Sequence, residues 1–190
     1  MNKFLNSLPS GIVVVLDEAY DVFIDVLDFP KSLGYLKRNN VIILKTFSKA
    51  YGLAGLRIGY ALANPRLIDS MQKARPPFNV NILAQVGAVA ALQDNQFLKK
   101  SRKAVLIGKR YLYGQLTKLG LTYIPSVTNF ILINTKSNGY NIYKRMLRFG
   151  VIVRDMQQYG LRNFIRVTVG TDYENKRFIE VLKRILKKRG

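Results

Sequence analysis

"LKTFSKAYGLAGLRIGY", residues 44–60, decides how this chain is read. A strand-like apolar run ends at Leu44, and a loop of serine, alanine and glycine follows. Lys49 stands inside that loop, with Arg57 eight residues further on. Most of the 31 lysines and arginines read as solvated surface. Lys49 is different because it sits where a strand ends, the edge at which open α/β sheets bind ligands.

Working outward, "GIVVVLDEAY" (11–20) holds an unbroken apolar run from Ile12 to Leu16 that ends in carboxylates. Such a run suits a strand buried on both faces. "VIILKTFS" (41–48) repeats the pattern, and about two dozen residues between the two are enough for a parallel crossover. "RIGYALA" (57–63) is a third strand, "NPRLIDSMQKAR" (64–75) opens with the Asn-Pro signature of a helix start, and "NILAQVGAVAALQD" (81–94) is an Ala-rich helix. From Asn95 to about Leu119 the sequence is helical, charged and able to link two lobes, and Gly120 ends it. Shorter units then follow: strand "TNFILINT", helix "GYNIYKRMLRFG", strands "VIVRD" and "NFIRVTVG", and a terminal helix. In that helix Phe178, Val181, Leu182 and Ile185 keep one apolar face beneath a basic one. The expected boundary lies near residue 95, with 1–94 as one domain and 95–190 as an α+β domain that includes the linking helix. Three strands are few for a covered parallel sheet, so part of the first domain is expected to lie upstream.

The totals exclude several classes. Of 190 residues, 48% are hydrophobic and 11% aromatic, enough for a packed core. The absence of cysteine removes disulfides and thiolate metal sites, and the absence of histidine removes Ser-His-Asp chemistry and the commonest zinc ligand. Acid–base work falls to Lys, Tyr, Asp or Glu. No apolar run is long enough for a membrane span, and the chain reads as cytoplasmic, with no membrane partner. The net charge of +20 favours acidic partners. The basic residues are scattered rather than striped, which disfavours nucleic acid.

Asp17 ends one strand, and Thr46, Ser48 and Lys49 follow the end of the next. Adjacent strands are about 4.8 Å apart, so Asp17, Tyr20, Ser48 and Lys49 converge on one small molecule. That set suits pyridoxal 5'-phosphate. This cofactor needs a lysine for its aldehyde, a carboxylate for its pyridine nitrogen, and hydroxyl and guanidinium donors such as Ser48 and Arg57 for its phosphate. A strand-end Asp is also a common cap for the turn that follows, and a Tyr beside a strand end is often plain packing.

"VVLDEAYDVF", "LKTFSKAYGLAGLRIGY", "TNF", "GVIVRD" and "FIRVTVGT" occur in the order seen in the fold-type I pyridoxal-phosphate aminotransferases. The chain resembles the histidinol-phosphate aminotransferase branch of class II, over essentially its whole length but only the later half of such an enzyme. The resemblance implies an α/β fold, with an incomplete large-domain sheet followed by an α+β small C-terminal domain. It implies transamination between an amino phosphate (histidinol phosphate, in histidine biosynthesis) and a 2-oxo acid.

By the same resemblance Lys49 bonds the cofactor aldehyde and carries the α-proton. Asp17 holds the pyridine nitrogen protonated, and Tyr20 donates to the 3-oxygen. Ser48, Arg57 and Thr46 hold the phosphate. Arg166 pairs with a substrate carboxylate, Arg154 binds a substrate phosphate, and Asn129 supports that wall. Glu18 receives no role beyond stabilising its turn or a neighbouring helix. The family's upstream phosphate loop, ring-stacking aromatic, Asn-Pro loop and partner-subunit tyrosine have no counterpart here. The chain is therefore expected to be a truncated portion that works as a homo-oligomer or with a complementary N-terminal half. Alternatives are an aromatic aminotransferase or amino-acid-phosphate decarboxylase of the same fold, or a non-enzymatic basic fragment that binds nucleic acid.

Overall fold

The computed structural model describes residues 1–9 and 11–187. The chain forms two compact units, Met1–Lys99 and Lys100–Gly190.

The first unit opens with the short helix α1 (Asn2–Ser7) and strand β1 (Val14–Asp17). Two 3₁₀ turns, Asp21–Phe23 and Ser32–Lys37, then lead to β2 (Val41–Thr46). β1 and β2 are parallel, from Val14 opposite Val41 to Asp17 opposite Leu44. The crossover expected from the sequence is present, built of 3₁₀ turns instead of a helix. β3 (Gly59–Ala63) completes the sheet in the order β1-β2-β3 and runs antiparallel to β2, with Thr46 opposite Gly59. The connection between β2 and β3 holds only a 3₁₀ turn at Ala54–Leu56, and the chain turns back on itself. β2, the central strand, buries Val41, Ile42 and Ile43.

β1 departs from expectation. Its apolar run reads as buried on both faces, yet burial alternates along the strand, and Ile12, Val13 and Val15 are 44%, 46% and 54% exposed. No described element of the chain covers that face. Helices α2 (Pro65–Ala74) and α3 (Ile82–Gln93) follow. The side chain of Asn64 accepts the Arg66 amide and that of Asn81 accepts the Ala84 amide, each satisfying a donor the helix start would otherwise leave open. α3 buries only Ala84 and Ala88, while Ile82, Leu83, Val86, Val89 and Leu92 on its other sides stay exposed.

α4 (Asn95–Lys118) carries the chain into the second unit. Gly120 adopts φ 66°, the left-handed conformation that ends helices. The second unit is a four-stranded antiparallel sheet in the order β4-β5-β7-β6, made of β4 (Thr122–Ile124), β5 (Phe130–Asn134), β6 (Arg154–Asp155) and β7 (Phe164–Thr168). α5 (Gly139–Leu147) and α6 (Asp172–Lys187) complete it. Alternation on β5 and β7 buries Ile131, Ile133, Ile165 and Val167. The core also takes in Leu112 and Leu116 of α4, Ile142 and Met146 of α5, and Phe178, Val181, Leu182 and Ile185 of α6. The apolar face expected for α6 is thus the buried one, and the end of its basic run, residues 188–190, lies outside the described residues.

α6 begins with a reciprocal cap. Thr171 Oγ1 accepts the Glu174 amide, and Glu174 Oε2 accepts the Thr171 amide at 2.7 Å. "VIVRD" is mostly not strand. Gly150 at φ 71° terminates α5, and the Val151 amide donates to Met146, so those residues close the helix and only Arg154 and Asp155 pair with β7. Among the described residues, no helix is long and apolar enough to cross a membrane.

Candidate active site

In the first unit, Asp17 ends β1 beside Leu44 of β2, and Thr46, Ser48 and Lys49 follow along β2 and its loop. A cavity of about 340 Å³ is lined by Asp17, Ala19, Leu44, Lys45, Thr46, Ser48, Lys49 and Arg57. Five of the six sequence-predicted cofactor residues therefore share one concave surface. The sixth, Tyr20, lies beside it, with Lys49 Nζ 5.5 Å from the centre of its ring.

The local backbone explains this convergence. Thr46 Oγ1 accepts the Ser48 amide at 3.1 Å, which bends the chain away from β2. Gly52 at φ 73° donates its amide to the Lys49 carbonyl, closing a turn directly behind the lysine. Arg57 has φ 55° and ψ 51°, a left-handed conformation that a non-glycine residue adopts at a cost. Its guanidinium turns back to donate to the Ala54 carbonyl at 2.8 Å and to Ser48 Oγ at 3.4 Å. Lys49, Asp17 and Arg57 are exposed, so the cavity is an open bay. Asp17 Oδ1 accepts the Ala19 amide at 3.0 Å, so the turn-capping reading of Asp17 holds alongside any ligand role.

Within this wall stands an ion cluster to which the sequence reading gave no part in the site. Lys45 Nζ sits 2.6 Å from Glu18 Oε2 and 2.5 Å from Asp21 Oδ2, with side chains 16%, 12% and 33% exposed. Burial alone would lower the Lys45 pKa, but hydrogen bonds and charge from Asp21 and Glu18 outweigh it and hold the ammonium above its usual value. Burial also raises the nearby Tyr51 phenol, helped by Tyr60 and Asp21 and opposed by Lys45. The available signal was a lone lysine closing the apolar run "VIIL", level with carboxylates at the end of the parallel neighbour.

In the second unit, Arg154 and Arg166 are direct partners across β6 and β7. Arg166 lies over the Phe130 ring at 4.7 Å. Arg154 lies over the Tyr159 ring and donates to its hydroxyl at 2.7 Å. Like charges directly opposite on adjacent strands repel, so an anion between them would be favoured. Asn129, half-buried, accepts the Val169 amide through its carbonyl just beyond the end of β7. The loop before it is held from α4. Buried Lys109 donates to the Ser126 carbonyl at 2.9 Å, and the Tyr113 hydroxyl accepts the Ser126 amide.

The family model for aminotransferase class I and II matches residues 2–182. The chain belongs to the class I and II aminotransferases. It is 50% identical over 187 residues to histidinol-phosphate aminotransferase 1 of Nitrosococcus oceani, an alignment covering 98% of this chain and 50% of that relative. The chain spans about half the length of the curated relatives it matches. Among solved structures, it superposes on the histidinol-phosphate aminotransferase of Sinorhizobium meliloti in complex with pyridoxal-5'-phosphate. The TM-score is 0.89 and the identity 29%, covering 99% of this chain and 52% of that one. The L-threonine-O-3-phosphate decarboxylase of Porphyromonas gingivalis gives a TM-score of 0.80 at 28% identity, covering 98% and 58%. The fold-type I architecture expected from the resemblance is thus the fold of this chain, an α/β unit followed by an α+β unit.

Proposed function

We propose that the chain forms the lysine-bearing wall of a pyridoxal-phosphate aminotransferase site that moves an amine between histidinol phosphate and a 2-oxo acid. The observation that carries this reading is the bay itself, where an amine, a carboxylate, two hydroxyls and a guanidinium share one cavity with a phenol beside it. That donor set fits the cofactor. Residues 1–94 serve as the later part of the cofactor-binding domain, and 95–190 as the small domain with its linking helix.

When bound, the cofactor supplies an aldehyde carbon for an amine and a ring able to take up the electron pair of a broken Cα–H bond. Lys49 would be the amine that holds that carbon, and its free amine would serve as the base that moves the α-proton. The Asp17 carboxylate accepts from the pyridine N–H and keeps the ring cationic. The Tyr20 hydroxyl donates to the 3-oxygen. Ser48, Thr46 and Arg57 anchor the phosphate; the Arg57 to Ser48 contact already aligns two of the three. Arg154 and Arg166 take the anionic groups of the two substrates, and Asn129 supports that wall.

The amino-phosphate decarboxylase reading has a neighbour of its own in the Porphyromonas gingivalis enzyme. The 50% identity to a histidinol-phosphate aminotransferase favours transamination. Exposed apolar residues on β1 and α3 support action as a homo-oligomer or beside a complementary N-terminal half.

The test is reduction of the chain with borohydride after treatment with cofactor beside a relative's N-terminal half, followed by peptide mapping. Label concentrated on Lys49 is expected. Label spread over surface lysines, or concentrated on another one, refutes the assignment. Turnover of histidinol phosphate and 2-oxoglutarate, with a relative's N-terminal half added in trans, then tests the substrates.

A further inference from the structure

We propose that Lys45, Glu18 and Asp21 form a positioning clamp that fixes the two walls of the cofactor bay against each other, an assignment that rests on the reading above. Each member is a chain neighbour of a bay residue: Glu18 follows Asp17, Asp21 follows Tyr20, and Lys45 precedes Thr46. The ammonium of Lys45 reaches both carboxylates within 2.6 Å.

The need for such a clamp follows from the sheet. Ladder pairing ends at Asp17 and Leu44, with one more backbone bond from the Glu18 amide to the Leu44 carbonyl at 3.0 Å. Beyond it the segment carrying Tyr20 leaves the sheet in a 3₁₀ turn, stiffened by the Phe23 amide on the Tyr20 carbonyl and the Ile24 amide on the Asp21 carbonyl. That turn keeps its own shape, but its placement relative to β2 must come from side chains. Lys45 supplies it from the strand that carries Thr46 and leads to Lys49.

Strand alternation sends the Lys45 side chain to the face opposite its neighbours. Its ammonium borders a second cavity, of about 580 Å³, with Glu18 and Asp21 in the wall. Lys45 also belongs to the lining of the bay, so the clamp stands in the wall that the two cavities share. A partly buried ion cluster is a weak source of stability, since desolvation offsets most of the attraction. What it does provide is a fixed distance between three chain points, and displacement of about 1 Å is enough to spoil reactive geometry.

The experiment uses the 190-residue chain with a relative's N-terminal half and pyridoxal phosphate, comparing wild type, Lys45→Met and Lys45→Arg. Three quantities are read: the dissociation constant from absorbance, the share of borohydride-trapped cofactor on Lys49, and the pH midpoint of the bound cofactor's absorbance change. Lys45→Met is expected to weaken binding about tenfold, lower the Lys49 share and move the pH midpoint, because Asp17 and Tyr20 no longer meet the ring as in wild type. Lys45→Arg, which keeps the charge, is expected to recover most of each. Wild-type values for all three in Lys45→Met overturn the clamp while leaving the bay intact. Failure of wild type to label Lys49 overturns the bay itself and the clamp with it. If Lys45→Met loses its cooperative melt, Glu18→Gln decides: a displaced pH midpoint supports the clamp, and an unmoved one overturns it.

Discussion

Replacing Gly59 with alanine tests the register at the edge of the bay. Gly59 lies opposite Thr46 where β3 meets β2. A Cβ built there would sit 2.6 Å from the Lys45 carbonyl oxygen and 3.5 Å from the Thr46 Cα. The first contact is with backbone, which cannot swing aside, and ordinary contact begins near 3.4 Å. β3 would have to move by most of an ångström or break its pairing at Thr46, an overpacking cost of about 1–3 kcal/mol. Alanine recovers about 0.5–1 kcal/mol of the entropy that glycine loses in a strand, so a net loss of about 0.5–2 kcal/mol is expected. A urea melt would show it as a lower midpoint with unchanged slope. The contrast is Gly114, exposed inside α4 with no atom within 4 Å of its would-be Cβ. There the same substitution should stabilise by about 0.5–1 kcal/mol. Gly59→Ala melting at or above wild type would refute the β2–β3 register, and with it the placement of Arg57 against Ser48.

Asp17→Asn should leave cofactor binding within a few-fold but slow α-proton removal by orders of magnitude, measured as exchange of the substrate α-hydrogen. Unchanged exchange would reduce Asp17 to the cap of Ala19. Glu174 has its carboxyl held below the ordinary range by the backbone and hydroxyl hydrogen bonds from Thr171. A lowered carboxyl contributes stability above its unfolded value near 4.5 and loses it as pH falls through the folded value. Glu174→Ala should therefore be destabilised by a few tenths of a kcal/mol at neutral pH, since the exposed carboxylate is screened by solvent, with a smaller difference from wild type in acid, as followed by helicity against pH. For Lys45 the sign reverses. Its raised value makes the contribution complete below about 10.5 and lost as pH climbs through the folded value, so the stability difference between wild type and Lys45→Met should narrow in alkali, as followed by denaturant melts against pH. Leu112→Ala, at a fully buried position, should cost about 2–5 kcal/mol in a denaturant melt.

The sequence made the second unit more legible than the first. The short apolar runs in "FILIN" and "FIRVT" announced β5 and β7, and the apolar spacing of Phe178, Val181, Leu182 and Ile185 announced α6, because each element buries its face within its own unit. "GIVVVLD" misled for a related reason. An apolar run carries the burial that a strand is built for, whereas Val13 and Val15 show the burial that this chain provides. "VIVRD" failed because strand propensity competed with a helix ending at Gly150, and the ending took the Val151 amide. In the bay, spacing and residue type located Asp17, Thr46, Ser48, Lys49 and Arg57. No spacing rule exposes the left-handed Arg57, and the lysine that closes "VIIL" signals a carboxylate partner without showing that Lys45 reaches two, since both depend on how separate segments meet.

The apolar sides of α3 have a consequence for the life of the protein in a cell. Ile82, Leu83, Val86, Val89 and Leu92 present, while the unit is folded, the kind of surface that chaperones and proteases otherwise meet only on unfolded chains. Quality control would then respond to whether that helix is covered, more than to the free energy of unfolding. A partner seated on α3 would lengthen the half-life without altering a single contact inside the unit, and abundance would follow the partner's supply.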